Sequence, residues 1–147
     1  MPALRPQGRA VVLRVVTKQL MPAILLFALY VQFHGDYGPG GGFQAGVIFA
    51  AGIVLYALVF GLARARQALP PAWLLRVAPA GVLLYAGVGV WSLVNGRAFL
   101  DYSAIDPADP VHGQHLGILL VELGVGLTVA SVLILVFYAF AGRGRSR

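Results

Sequence analysis

Long apolar stretches alternate with short segments rich in glycine, proline and charge along this chain. Four of these stretches have apolar centres, and they cover residues 10–33, 43–63, 74–94 and 115–140. At 1.5 Å per residue, a helix over each stretch is long enough to cross a hydrocarbon core of about 30 Å. The pattern therefore predicts an all-α fold, a polytopic membrane protein with four transmembrane helices.

The composition favours a membrane protein over a soluble domain. Of the 147 residues, 59% are hydrophobic and only 11% are charged, whereas soluble domains have about 25% charged residues. We divide the chain into a tail (1–9), a four-helix membrane domain (10–141) and a basic tail (142–147). The first apolar stretch is not followed by a small-residue cleavage pattern, so we interpret it as a retained helix.

The distribution of charge predicts the orientation in the membrane. Arg97 is the one Arg or Lys within segments 34–42 and 95–114, which also contain four aspartates. The other ten of the eleven basic residues lie near the termini or between 64 and 76. Basic residues accumulate on the cytoplasmic side, so we predict that both termini are cytoplasmic. We attribute the net charge of +6 to contact with lipid headgroups and predict no nucleic-acid partner.

Glu122 is an acidic residue about two turns inside the fourth stretch. A charge at the bilayer centre costs about 2.5–3.5 kcal/mol on insertion scales, so Glu122 is a candidate for an ion or proton path. The alternative is a carboxyl group that only hydrogen-bonds a neighbouring helix. His115 lies seven positions earlier, on nearly the same helix face, and either relays protons to Glu122 or simply begins the helix. Lys18 either extends to the interface or pairs with an acidic group of a neighbouring subunit.

The segment between the first two stretches combines glycine, proline and charge. We predict that it is the hinge of a helical hairpin, because glycine permits tight turns and close backbone packing. Glycines recur there every four residues, and the later stretches also have helix faces made of small residues. We expect these faces to dock against other membrane subunits. The residues assigned to hinge and packing roles are Gly38, Pro39, Gly40, Gly41, Gly42, Phe43 and Gly46.

No catalytic group of residues is evident in the sequence. The chain has no cysteine, which excludes disulfides, thiolate metal sites and cysteine nucleophiles. The histidines have no metal-ligand spacing, and no nucleophile–base pair is apparent. A phosphate-binding loop is also excluded at the glycine segment, because no Lys-Ser/Thr follows it. We therefore predict no enzyme, no cofactor and no metal site.

Two segments resemble a known family. Residues 37–46, Tyr-Gly-Pro-Gly-Gly-Gly-Phe-Gln-Ala-Gly, are similar to the Pro-Gly-Gly-Gly-Phe signature of the B subunit of Mrp-type (Mnh-type) multisubunit cation/proton antiporters. Residues 117–128 resemble the last-helix motif of the same family. That family usually has Gly-His-Asn before its signature, whereas this chain has His-Gly-Asp-Tyr at 34–37, with an altered order and an acidic residue.

The resemblance implies a subunit of a hetero-oligomeric antiporter in the cell membrane of a bacterium or archaeon, which exchanges Na⁺ for H⁺. Its partners would be the other membrane subunits of the complex, and the B subunit would either line an ion route or hold the large subunits together. A similar domain recurs in membrane-bound hydrogenases and complex-I-like assemblies. A membrane-arm subunit of that kind therefore stays open as an alternative, as does a purely structural packing subunit.

Overall fold

Four long helices and one short helix account for most of the described chain. The computed structural model describes residues 6–36 and 38–143, with side chains from Val11 onward. Its elements are α1 (Pro6–His34), α2 (Gly42–Phe60), α3 (Leu62–Ala68), α4 (Pro71–Val94), a 3₁₀ turn (Tyr102–Ala104) and α5 (Pro110–Arg143). Helices α1, α2, α4 and α5 are long and apolar enough to cross a membrane, and no strand occurs in the described ranges. The predicted all-α fold with four membrane helices is confirmed.

Helix α5 lies at the centre of the arrangement. It packs along α2 on one side and α4 on the other, while α1 packs mainly against α2. The α4–α5 contact depends on two facing glycines, since a Cβ atom on Gly124 would lie 2.6 Å from the carbonyl oxygen of Gly81. Small residues at such crossings let two helix backbones approach closely.

The glycine face of α2 packs inside the chain, contrary to our expectation that it docks against other subunits. A Cβ atom on Gly46 would lie 2.8 Å from the carbonyl oxygen of Gly126, and one on Gly42 would overlap the carbonyl group of Glu122. Gly38 lies outside this face, because the nearest atoms to its Cβ position are those of the His34 ring, at 3.6 Å. For Gly42 and Gly46 the expectation was wrong, because these glycines let α2 approach α5 closely. Docking of the other small-residue faces against neighbouring subunits stays a prediction.

The arginines and prolines of residues 64–72 predict a short basic loop between the second and third membrane helices, but the structure has a helix there. Helix α2 ends at Phe60, Gly61 turns the chain with a φ of 98°, and α3 follows. The Nη2 atom of Arg66 in α3 donates a hydrogen bond to the carbonyl oxygen of Tyr138, at 2.8 Å. Its guanidinium carbon lies 5.6 Å from the centroid of the Tyr138 ring. The basic segment is therefore helical and lies against the end of α5.

The Asp-Pro steps within residues 96–114 are typical of turns and predict a long irregular loop, but the loop before α5 is shorter. Helix α5 begins at Pro110, because Asp109 caps it: its Oδ1 atom accepts hydrogen bonds from the N–H groups of Val111 (3.2 Å) and His112 (3.1 Å). An aspartate at this position satisfies donors that the first helical turn leaves unpaired. His115 therefore lies within the helix instead of starting it.

The predicted tails are only partly described. Helix α1 begins at Pro6, so residues 6–9, assigned to the N-terminal tail, are helical. Helix α5 extends to Arg143. The remainder of the two tails, residues 1–5 and 144–147, lies outside the described residues.

Candidate ion-path site

Glu122 lies where α5 passes the turn between α1 and α2. This turn folds back onto the end of α1, and the N–H group of Gly41 donates a hydrogen bond to the carbonyl oxygen of Val31, at 3.2 Å. Gly41 has a φ of 119°, a conformation that favours glycine. The fold of the turn brings glycine backbone against α5 at the level of Glu122.

Three glycines line the Glu122 side chain and its backbone. A Cβ atom on Gly35 would lie 2.5 Å from Oε2 and 2.6 Å from Oε1 of Glu122, and one on Gly41 would lie 3.0 Å from Oε1. Gly42 approaches the Glu122 carbonyl so closely that no Cβ atom could be accommodated. A larger residue at these positions would displace the carboxylate or the helix. The segment predicted as a hinge is therefore also the wall of the Glu122 site.

The Glu122 carboxylate is partly exposed and opens onto a cleft of about 330 Å³. The cleft is lined by residues 40–44 together with Val121 and Val125. Phe43, at its edge, is 63% exposed. Among the described residues, none donates a hydrogen bond to this carboxylate. A water molecule, a cation or a side chain of a neighbouring subunit can therefore reach Glu122 from this side.

His115 and Asp36 connect the start of α5 to the α1–α2 turn. The Nδ1 atom of His115 is hydrogen-bonded to Oδ2 of Asp36. The His115 side chain is 47% exposed and the Asp36 side chain only 19%, so Asp36 lies beneath the histidine. Asp36 follows Gly35 in sequence, and the charges of Asp36 and Glu122 interact. Asp36 therefore contacts one of the two residues that the sequence predicted for a path, and its neighbour Gly35 lies against the other.

Tyr102 of the 3₁₀ turn encloses a further side of the site. Its ring covers Gly117, where a Cβ atom would overlap the ring atoms. The pKa of Tyr102 is raised above its ordinary value, first by burial and then by the charges of Tyr85 and Glu122. Its hydroxyl group therefore stays protonated at neutral pH.

Other predicted residues lie away from this group. Lys18 is on the exposed surface of α1, and its pairing with a neighbouring subunit stays a prediction. Gly38 and Pro39 are exposed at the turn. The ring of His34 stacks on Tyr30, with 4.9 Å between the ring centroids.

Asp36, Gly35 and Tyr102 were not among the candidate residues. Helix periodicity relates positions on one helix, so it could not show which loop folds over Glu122. The acidic residue at position 36, where the resembled signature has a different sequence, was the available signal for Asp36. For Tyr102 the sequence contains no comparable signal.

The four apolar helices and the partly enclosed carboxylate define an integral membrane protein with a candidate ion site. Residues 12–135 match the family described as "Domain related to MnhB subunit of Na+/H+ antiporter". A Staphylococcus haemolyticus protein, whose name assigns it as antiporter subunit mnhB2, is 34% identical over 134 residues, which cover 90% of this chain and 94% of that protein. A Staphylococcus aureus protein of the same name is 34% identical over 138 residues, covering 92% and 96%. The chain belongs to the MnhB family, and the resemblance is confirmed.

Proposed function

We propose that the chain is a membrane subunit of a multisubunit antiporter that exchanges Na⁺ for H⁺ across the cell membrane, and that Glu122 belongs to its ion or proton path. The family match over 12–135 supports the antiporter role. The names of the two staphylococcal relatives favour an antiporter over the membrane arm of a hydrogenase or complex-I-like assembly.

The position of Glu122 is the observation that supports a path most directly. An ionisable group within a membrane helix is costly to insert and usually faces a partner or a water-filled cavity. Here the carboxylate has no hydrogen-bond donor among the described residues and opens onto a cleft. The first residues of α2 lie beside it, and the positive end of a helix dipole favours a negative charge. The cleft therefore gives ions or water access to an acidic group inside the helix layer.

The subunit acts together with other membrane subunits in this proposal, and it catalyses no reaction alone. With both termini in the cytoplasm, the α1–α2 turn, the 3₁₀ turn and His115 face the outside. The cleft opens at the side of the helix layer, where a neighbouring subunit can continue the path. Lys18 is available on the surface of α1 for an ion pair with such a neighbour.

The Glu122→Gln variant tests this function, because it removes the titratable proton with little change of shape. We expect Na⁺-dependent proton movement to fall at least about tenfold, as loss of a proton-transfer group commonly causes. The measurement is fluorescent detection of proton movement in everted membrane vesicles that contain the whole complex, and a native gel verifies assembly. Glu122→Asp, which keeps a carboxylate, is the comparison and should retain more exchange.

The opposite result would identify a purely structural subunit. If the complex containing Glu122→Gln assembles and exchanges ions at the unmodified rate, Glu122 has no part in the path. The close α2–α5 packing would then be the main contribution of this chain.

A further inference from the structure

We propose that Asp36 is a proton-relay residue between His115 and Glu122, so that the His115–Asp36 pair is the outer proton entrance of this subunit. This inference rests on the proposed role of Glu122 in a path. It adds a residue on a different segment of the chain, outside the set that the sequence pattern had singled out.

The three residues are linked through the α1–α2 turn. His115 is the most exposed, at 47% of its side chain, and its Nδ1 atom contacts Oδ2 of Asp36, which is 19% exposed. Gly35, the neighbour of Asp36, has its Cα against the Glu122 carboxylate, with Oε2 2.5 Å from the position of an added Cβ atom. The contact between Asp36 and His115 joins residues 79 positions apart. The fold of the turn therefore brings the residue next to Asp36 against the Glu122 carboxylate.

The proton transfer balances without any further reactant. A proton from outer water binds Nε2 of His115, and the Nδ1 proton passes to Oδ2 of Asp36. The neutral Asp36 then gives its proton, through a bridging water, to the Glu122 carboxylate and becomes negative again. Histidine suits the first step because its two ring nitrogens can accept and release a proton on opposite sides. The charges of Asp36 and Glu122 interact, and repulsion between two carboxylates disfavours the state in which both are ionised.

Two other titratable groups near Glu122 are tyrosines. Tyr102 comes from the 3₁₀ turn and Tyr85 from α4. Tyr102 interacts electrostatically with both Tyr85 and Glu122. The raised pKa of Tyr102, caused mainly by its burial, keeps its proton in place at neutral pH. Helix α2 contributes glycine backbone at this point. The His115–Asp36 pair is therefore the described pair that joins a histidine to the turn beside Glu122.

A second His–Asp pair on the same side of the molecule provides a matched control. The Nδ1 atom of His112 lies 3.0 Å from Oδ2 of Asp106, and this hydrogen bond is the main cause that lowers the pKa of Asp106. Both histidines are in the first turns of α5, three positions apart. Asp106, however, is not among the groups that interact with Glu122.

The test compares Asp36→Asn with Asp106→Asn in the whole complex, assayed in right-side-out vesicles over a range of external pH. We expect Asp36→Asn to slow exchange at least about tenfold and to flatten its dependence on external pH, whereas Asp106→Asn should match the unmodified complex. Asp36→Glu, or added external formate as a mobile proton carrier, should restore much of the lost rate.

Each alternative result has a distinct meaning. Equal rates for Asp36→Asn and Asp106→Asn, with Glu122→Gln still impaired, would overturn the relay and leave the proposed function intact. A slow Asp36→Asn complex that neither formate nor Asp36→Glu improves would make Asp36 only structural, which also overturns the relay. An unimpaired Glu122→Gln complex would instead overturn the proposed function itself.

Discussion

Two polar side chains inside the helix layer have different surroundings, and this difference separates their roles. Glu122 opens onto a cleft and has charged residues nearby. Gln32 is only 5% exposed and borders an apolar cavity of about 410 Å³ between α1, α2, α4 and α5. Its Nε2 atom has no hydrogen-bond partner within the described part of the chain. A buried donor without a partner lowers the free energy of unfolding, because it loses its hydrogen bonds to water and gains none in the protein.

We predict that Gln32→Met stabilises the isolated subunit by about 1 kcal/mol, because it replaces the unpaired amide with an apolar group of similar length. Thermal unfolding of the purified subunit in detergent measures the change. Gln67→Met on the exposed surface of α3 is the control and should alter stability by less than about 0.5 kcal/mol. A lower unfolding temperature for Gln32→Met alone would show that the amide has a stabilising partner.

At the residue scale, the sequence identified groups whose position is unusual in itself. Glu122 could be found because a carboxylate inside an apolar stretch is costly, and His115 because it shares a helix face with Glu122. Asp36 and Gly35 could not be found in this way, since their importance depends on how a turn folds onto a helix far away in sequence. The glycine segment was assigned to hinge and packing roles, although its backbone also lines the carboxylate.

At the scale of the elements, close helix crossings depend on where each glycine points. Gly81 of α4 faces Gly124 of α5, and an added Cβ atom would overlap the carbonyl group there and the hydroxyl of Thr128. Gly87 is on the same helix, yet no atom lies within 4 Å of its Cβ position. Two glycines that look equivalent in the sequence therefore have different environments.

We predict that Gly81→Ala destabilises the subunit by about 1–3 kcal/mol, because the added methyl group forces α4 and α5 apart. The matched variant Gly87→Ala should be neutral or stabilising by up to about 1 kcal/mol, since alanine favours helix more than glycine does. Thermal unfolding of both purified variants in detergent provides the comparison. Equal shifts in unfolding temperature would contradict the close α4–α5 packing.

The existence of each membrane helix was predictable, but its ends and neighbours were less so. Apolar length alone defined the four spans. Helix α3 was missed because a segment with two arginines before Pro70 and Pro71 is typical of a loop. Its contacts with Tyr138 and the burial of Leu62 and Ala65 in the core are not visible in the sequence. The start of α5 was placed too late because the Asp-Pro steps were interpreted as turns, whereas Asp109 caps the helix. Helix ends depend on local hydrogen bonds that hydropathy does not measure.

At the scale of the whole molecule, many large apolar side chains face outward. Leu26 of α1 and Leu83 and Val94 of α4 are 69%, 71% and 77% exposed, as expected for helices covered by lipid or by other subunits. The glycine faces, by contrast, mostly pack against other helices of the same chain. Membership of an assembly is therefore inferred from the family, and the surfaces available to neighbours are the outer faces of α1 and α4 and the cleft beside Glu122.

The orientation of this molecule determines which side supplies protons to His115, and it can be tested directly because the chain has no cysteine of its own. We predict that a single cysteine at Ala108, exposed in the loop before α5, reacts with a membrane-impermeant maleimide in intact cells. A single cysteine at Gln67, exposed on α3, should react only after the membrane is opened, because basic segments remain on the cytoplasmic side. Labelling is measured by the mass shift of the purified subunit. The reverse pattern would place His115 and Asp36 at the cytoplasmic face, and the proposed entrance would then serve protons leaving the cell interior.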